Sequence, residues 1–196
     1  MMGAAHGGHT KMLAQNDTKV HTRSGVIDPF RPRPSDINID DIAHALANTC
    51  RWGAACSQFY SVAEHSIEVA HRVNDNLKLC ALLHDAAEAY LGDIPTPRKA
   101  VTFHRYQDTC GVITEAYSVT EDRLMAAIFE RFNVGYESIP DEVHEADLIV
   151  RREEERTLIR GVRTSPVLTP ATARIMFLRR FNQYAIENRA RLGVTV

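Results

Sequence analysis

The chain is organised around residues 82–99, which read Leu-Leu-His-Asp-Ala-Ala-Glu-Ala-Tyr-Leu-Gly-Asp-Ile-Pro-Thr-Pro-Arg-Lys. The apolar spacing predicts one helix of about four turns over residues 76–92, with an asparagine to cap its start and a glycine to end it. Glu88 follows His84 by four residues and Asp85 by three, so the three polar side chains share one face of that helix.

This polar face has two interpretations. Burying an imidazole and two carboxylates on an apolar helix costs free energy, and a divalent metal ion bound by all three would offset that cost. The alternative is an acidic face turned to water. The apolar neighbours on the same helix leave little of its circumference for solvent, which favours the metal.

Composition limits the fold class and the partners. The chain has 196 residues, of which 44% are hydrophobic and 24% charged, as expected for one soluble globular domain with a sizeable core. A formal net charge of -2 offers no basic field to a nucleic acid polymer or an anionic membrane. Residues 1–25 lack a sustained apolar period, so we expect a flexible N-terminal tail followed by a single domain over residues 26–196.

The expected compartment is the cytoplasm. The four cysteines form neither a CxxC pair nor a zinc-knuckle spacing, which is typical of reduced thiols. The sequence has no apolar run of the roughly 18 residues that span a bilayer, and residues 1–25 contain no signal-peptide core.

Further candidates precede the central stretch. Ser61 and Glu64 have the spacing of a capping box, which fixes the start of a helix and puts His65 among apolar side chains. A core histidine satisfied by one hydrogen bond is the alternative for His65. Arg51 and Trp52, the only tryptophan in the chain, lie just before this helix, where a Trp that merely anchors a loop to the core is the competing interpretation.

The rest of the sequence indicates more helices. Helical patterns recur over residues 104–116, over residues 140–159 and near the C-terminus without strand-like alternation, so we predict an all-α bundle of about seven helices. Asp147 lies on a face of the helix at 140–159 that should be packed, where it could serve the site or form an ordinary ion pair with Arg151. The charged run 151–156 is typical of a solvated or subunit-facing surface.

In chain order these candidates form the pattern H…HD…D, which resembles the HD-domain metal-dependent phosphohydrolases. Over about residues 36–181 the chain resembles two groups within them, small bacterial 5'-deoxynucleotidases and compact phage enzymes that hydrolyse dATP to deoxyadenosine and triphosphate. The matching segments are Arg51-Trp52, Tyr-Ser-Val-Ala-Glu-His at 60–65, and the run from His84-Asp85 through Glu88 and Asp93-Ile-Pro-Thr-Pro to Lys99. The resemblance implies a single HD-domain helical bundle.

The resemblance also implies a metal centre. His65, His84, Asp85 and Asp147 would hold a divalent ion, and two nitrogen and two oxygen donors suit cobalt, manganese or zinc better than calcium. Glu88 would orient or deprotonate the attacking water, or reach a second ion such as magnesium.

The remaining implied roles concern the substrate. Asp93 would be a second acid or base, acting on the leaving 5'-oxygen. Arg51 and Lys99 would neutralise phosphate oxygens. Trp52 would exclude a 2'-hydroxyl by its bulk.

These roles predict hydrolysis of a deoxynucleotide at the α-phosphate. We favour dATP, giving 2'-deoxyadenosine and triphosphate, because Lys78, Arg98, Lys99 and Arg105 add positive charge around the site helix. The alternatives are a 5'-deoxynucleotidase acting on deoxynucleoside monophosphates, a non-catalytic nucleotide-binding HD module and a two-iron oxygenase of the same fold. The resemblance also implies a homo-oligomer, dimer or hexamer, in the cytoplasm, which would be the host's if a phage encodes the chain.

Overall fold

The computed structural model describes residues 18–161 and 163–193. Within them the chain is mostly helical, as predicted. The helices are α1 Ile39–Asn48, α2 Val62–Ala70, α3 Lys78–Leu83, α4 Glu88–Leu91, α5 Thr96–Lys99, α6 Tyr117–Phe132, α7 Asp141–Glu154 and α8 Pro170–Leu192. Single 3-10 turns lie at Pro34–Asp36, Trp52–Ala54 and Asp75–Leu77, and a π-helical turn, Glu155–Ile159, continues α7.

Helix α2 is central to the bundle. It packs against α1, α3, α7 and α8, while α1 also packs against α4 and α8. The predicted capping box at its start is confirmed, since Ser61 Oγ accepts from the Glu64 amide at 3.2 Å and Glu64 Oε2 accepts from the Ser61 amide at 3.1 Å. The core that holds these helices together includes the fully buried side chains of Ile42, Leu46, Val62, Leu82, Leu83, Leu124, Ile128 and Phe177. This packing directs one face of α2 at the end of α3 and at α7.

The prediction of a helix over residues 104–116, and of a chain without strands, is wrong. Two antiparallel hairpins are present: β1 Val20–His21 with β2 Val26–Ile27, and β3 Phe103–Asp108 with β4 Gly111–Ala116. The second hairpin has the aromatic and β-branched composition of strands, with Tyr106 buried between exposed neighbours. At its turn Gly111 has a φ of 130°, which a residue with a side chain rarely adopts.

The single helix predicted over residues 76–92 is interrupted. Helix α3 ends at Leu83 and α4 begins at Glu88; between them the amides of Ala86 and Glu88 donate to carbonyls three residues back, at 2.9 and 3.0 Å. The His84 ring also donates from Nδ1 to the Ala81 carbonyl at 2.7 Å. The predicted end at Gly92 is confirmed by its φ of 83°. The break therefore lies at the His-Asp pair.

Only part of the expected N-terminal tail, residues 1–25, lies within the described residues. Residues 1–17 of the expected tail lie outside the described residues, so the flexible tail stays a prediction there. Val20 pairs with Ile27 in the first hairpin, and Ile27 is buried in the core. The domain boundary at residue 26 stays a prediction.

The predicted free thiols and the absence of a membrane span can be compared with the structure. Cys50, Cys56, Cys80 and Cys110 are all unpaired. Across residues 18–161 and 163–193, the helices are too short or too polar to cross a membrane.

Candidate functional site

The four predicted metal ligands converge on one point. His65 projects from α2, His84 and Asp85 from the break after α3, and Asp147 from α7. His65 Nε2 lies 3.3 Å from His84 Nε2, 3.0 Å from Asp147 Oδ1 and 3.6 Å from Asp85 Oδ2. His84 Nε2 lies 3.3 Å from Asp85 Oδ2 and 4.0 Å from Asp147 Oδ1. The group of His65, His84 and Asp147 could hold a metal ion, and Asp85 faces the same point.

The hydrogen bonds of the two rings fix which nitrogen faces this point. Carboxylate and carbonyl oxygens only accept, so His65 Nδ1 must donate to Glu154 Oε1 at 2.7 Å, and His84 Nδ1 to the Ala81 carbonyl at 2.7 Å. In the neutral rings both Nε2 atoms are then lone-pair acceptors. Such an arrangement, with Nδ1–H bonded to an oxygen, is the usual one for a metal-ligating histidine.

The donor set fits a divalent cation. Lone-pair nitrogens and carboxylate oxygens packed this closely repel one another unless a positive charge lies between them. Burial and Arg51 lower the pKa of His65, but its bonds to Asp147 and Glu154 raise it overall; burial lowers the pKa of His84. A proton on His65 Nε2 could bond well to only one neighbour, Asp147 Oδ1 at 3.0 Å or His84 Nε2 at 3.3 Å. Ligands about 2.1 Å from a tetrahedral ion lie about 3.4 Å apart, close to the spacing found here.

A cavity of about 490 Å³ opens beside this cluster, and two of its four side chains, Asp85 and Asp147, line it. This volume falls within the range for small-molecule sites. Every residue assigned a catalytic or substrate role by the resemblance lies on its wall: Arg51, Trp52, Glu88, Asp93 and Lys99. Asp85, Asp147, Arg151, Glu155 and the loop Ile94–Pro97 complete the lining.

Glu88 and Asp93 each present an unpaired oxygen. Glu88 Oε2 and Asp93 Oδ2 are buried without a hydrogen-bond partner. Burial, aided by the charge of Asp85 and opposed by Lys99, raises the pKa of Glu88 well above its usual range, and burial likewise raises the pKa of Asp93. Carboxyl groups that are buried, unpaired and shifted in this way are typical of functional sites.

The two predicted phosphate-binding cations are already paired with carboxylates. Lys99 Nζ donates to Glu88 Oε1 at 3.1 Å and to Glu121 Oε1 at 2.7 Å. Arg51 Nη1 donates to Asp85 Oδ2 at 3.1 Å, so the predicted metal ligand is also held by a guanidinium. Burial alone would raise the pKa of Asp85, but the surrounding positive groups hold it far below its usual range.

The sequence left open whether Asp147 serves the site or pairs with Arg151, and the structure shows the partners of both residues. Asp147 turns towards His65, while Arg151 Nη1 donates to Thr96 Oγ1 at 3.1 Å and lines the cavity. The charged run 151–156 is therefore more than a surface, because three of its members belong to the site or the interior. Glu155 lines the cavity together with Arg151, and Glu154 is 4% exposed.

Sequence reasoning missed Glu154 altogether. Its carboxylate accepts from His65, from Trp52 Nε1 at 3.0 Å and from Arg51 Nε at 3.3 Å. The available signal was its spacing, since Val150 and Glu154 extend by one turn the packed face that carries Val143 and Asp147.

Comparison with known proteins gives two uncharacterized relatives. The chain is 34% identical over 163 residues to YfdR of Escherichia coli, a match that covers 75% of the chain and 84% of YfdR. It is 42% identical over 117 residues to a protein of Rhodobacter capsulatus, covering 55% of the chain and 54% of that protein, so the chain spans about half the length of this relative. No protein-family model matches. On the extent of the first match, the chain belongs to the same family as YfdR.

Proposed function

We propose that the chain is an HD-domain, metal-dependent phosphohydrolase that cleaves deoxynucleotides at the α-phosphate. One observation carries the proposal: two histidine Nε2 atoms face the same point as two carboxylates that line a cavity, and two further carboxylates of that lining have buried, unpaired oxygens. The order of these residues in the sequence is the H…HD…D pattern.

The ion would be held by His65, His84, Asp85 and Asp147. Two nitrogens and two oxygens favour zinc, cobalt or manganese over calcium. When bound, such an ion supplies Lewis-acid activation of water and of a phosphoryl oxygen. Binding a second ion, magnesium for example, is the alternative role for Glu88, whose unpaired oxygen would then be a ligand instead of a base.

Proton transfer falls to Glu88 and Asp93. A general base works best when its pKa lies near the working pH, and burial shifts both carboxyl groups in that direction. Glu88, fixed by Lys99 through one oxygen, would take a proton from the attacking water with the other. Asp93 would give a proton to the 5'-oxygen as the deoxynucleoside leaves.

Phosphate and sugar would be bound by other residues of the cavity lining. Arg51, Lys99 and Arg151 provide the cations, and Trp52 provides a rigid ring whose indole N–H is fixed by Glu154. In this position Trp52 would act on the sugar by bulk, which excludes a 2'-hydroxyl.

The charges lining the cavity bear on the number of phosphates. Of the four cations that favoured dATP from the sequence, only Lys99 lines the cavity; Lys78, for example, is paired with Asp75. The described lining has three cations against five carboxylates. Fewer cations than the sequence indicated suit the roughly −2 charge of a phosphate monoester better than the larger charge of a triphosphate. We therefore propose deoxynucleoside monophosphates as the preferred substrates, with dATP the prediction from sequence.

The test is product analysis. Protein loaded with zinc, cobalt or manganese is incubated with each deoxynucleoside monophosphate and triphosphate, and the products are separated by chromatography. Deoxynucleoside and phosphate from monophosphates support the proposal, while deoxyadenosine and intact triphosphate from dATP return the preference to the sequence prediction. An Asp147→Ala variant serves as the inactive control. If the metal-loaded protein releases no deoxynucleoside from any nucleotide, the proposed hydrolase activity is contradicted.

A further inference from the structure

Glu154 is a buried carboxylate with three partners from two parts of the chain. Its Oε1 accepts from His65 Nδ1 at 2.7 Å, and its Oε2 accepts from Trp52 Nε1 at 3.0 Å and Arg51 Nε at 3.3 Å. The side chain is 4% exposed, so water cannot replace these bonds. One carboxyl group thus joins a proposed metal ligand to the two loop residues proposed to contact substrate.

The loop held by Glu154 has an unfavourable backbone. Trp52, Gly53 and Ala54 have φ angles of 60°, 58° and 64°, and two of the three carry side chains. Such conformations persist only where surrounding contacts hold them. Two hydrogen bonds anchor this loop. One is the indole bond to Glu154, and the other runs from the Ser57 amide to the Leu158 carbonyl at 2.8 Å. Both anchors come from the end of α7 and the π-helical turn after it.

We propose that Glu154 is a positioning residue that couples the metal site to the placement of Trp52. The inference rests on the proposed function only in taking His65 as a ligand. Metal binding at His65 Nε2 requires the ring orientation that the Nδ1 bond to Glu154 enforces. The same carboxylate then has its second oxygen directed at the indole, so the ordered loop and the occupied metal site favour one another.

Linkage makes this coupling reciprocal. If metal binding orders the loop, then loosening the loop must weaken metal binding by the same factor. A purely structural Glu154 would affect folding but would not connect these two quantities. The chain offers a direct reporter, because Trp52 is its single tryptophan.

In the experiment, metal-free full-length protein is titrated with zinc, and the zinc affinity is measured by calorimetry and the tryptophan emission by fluorescence. Zinc is chosen because it is not paramagnetic and so does not quench the fluorescence by that route. In the natural protein we expect the emission to shift and saturate with zinc. Glu154→Gln keeps the shape but has one acceptor oxygen for three donors. We expect its zinc affinity to fall about 10- to 100-fold and the emission shift to disappear.

Two variants complete the design. Glu153→Gln changes the neighbouring, 45% exposed glutamate paired with Arg72 and should behave as the natural protein. Trp52→Phe keeps an aromatic ring without the N–H, and Trp52 is not itself a proposed ligand. We expect this variant to bind zinc about fivefold more weakly, at the lower end of coupling between sites. This variant tests the proposal even if Glu154→Gln fails to fold.

The outcomes separate this inference from the proposed function. If Glu154→Gln and Trp52→Phe bind zinc with the affinity of the natural protein, the coupling is overturned and the proposed hydrolase activity is unaffected. The coupling is also overturned if the tryptophan emission of the natural protein does not change with zinc while calorimetry shows zinc binding. A natural protein that binds no zinc overturns both the coupling and the metal centre.

Discussion

Replacing Glu88 by glutamine isolates the proposed base from the rest of the site. Glu88 is 3% exposed, with one oxygen bonded to Lys99 at 3.1 Å and the other unpaired. The glutamine carbonyl can keep the lysine bond but cannot accept a proton from water. We expect kcat for a deoxynucleotide to fall about 100- to 10,000-fold, which corresponds to about 2.7–5.4 kcal/mol in the barrier. Steady-state kinetics and metal analysis are the measurements, with metal content expected to stay unchanged.

A matched control is available in Glu121, the other carboxylate that holds Lys99, at 2.7 Å. Unlike Glu88, Glu121 does not line the cavity. Glu121→Gln should therefore change kcat by less than about tenfold. An equal loss in both variants would show that Glu88 acts by holding Lys99, and a Glu88→Gln enzyme within tenfold of the natural rate would refute the base assignment.

Three other perturbations have defined outcomes. His65→Ala and Asp85→Ala should each remove bound metal and activity with little change in helical circular dichroism, and a full complement of metal in either would contradict the ligand assignment. Trp52→Ala should narrow the preference for deoxynucleotides over ribonucleotides, measured as the ratio of turnover; an unchanged ratio would leave Trp52 as a structural anchor. Arg163→Met leaves Glu64 buried without its 2.6 Å partner and should lower the free energy of unfolding by about 3–5 kcal/mol in urea titrations, whereas a loss below 1 kcal/mol would contradict the buried pair.

The site could be predicted where an ionisable residue interrupts a strong local pattern. His65 follows a capping box, and His84 and Asp85 stand within an apolar run, so local sequence alone marks them as needing a partner. Asp147 was ambiguous because Arg151, four residues on, offered an equally local partner. Only the packing of α7 against α2 directs Asp147 to His65.

Glu154 and the second hairpin show where local reasoning failed. In a run of alternating charges every glutamate looks solvated, and nothing within the run indicates that Glu154 meets Trp52 and His65 from distant segments. The apolar spacing of residues 104–116 indicated a helix, but spacing alone does not exclude a strand. The pairing of β3 with β4 and the turn at Gly111 decided between them.

The break at His84-Asp85 consists of local hydrogen bonds that the helical pattern does not predict. Residues 76–92 have a continuous helical pattern, but His84 turns its ring back to the Ala81 carbonyl and the following amides bond three residues back. Helix propensity is a weak local preference, which a few buried hydrogen bonds can override.

The residues around the proposed ion lie far apart in the chain, and this sets an order of events during synthesis. His65 and Glu154 are separated by 89 positions. At translation rates of about 5–20 residues per second, the ribosome delivers the His-Asp pair roughly 3–13 seconds before Asp147. A nascent chain therefore offers any passing ion only an incomplete set of donors. The finished bundle, rather than the growing polypeptide, would decide which metal the proposed site takes.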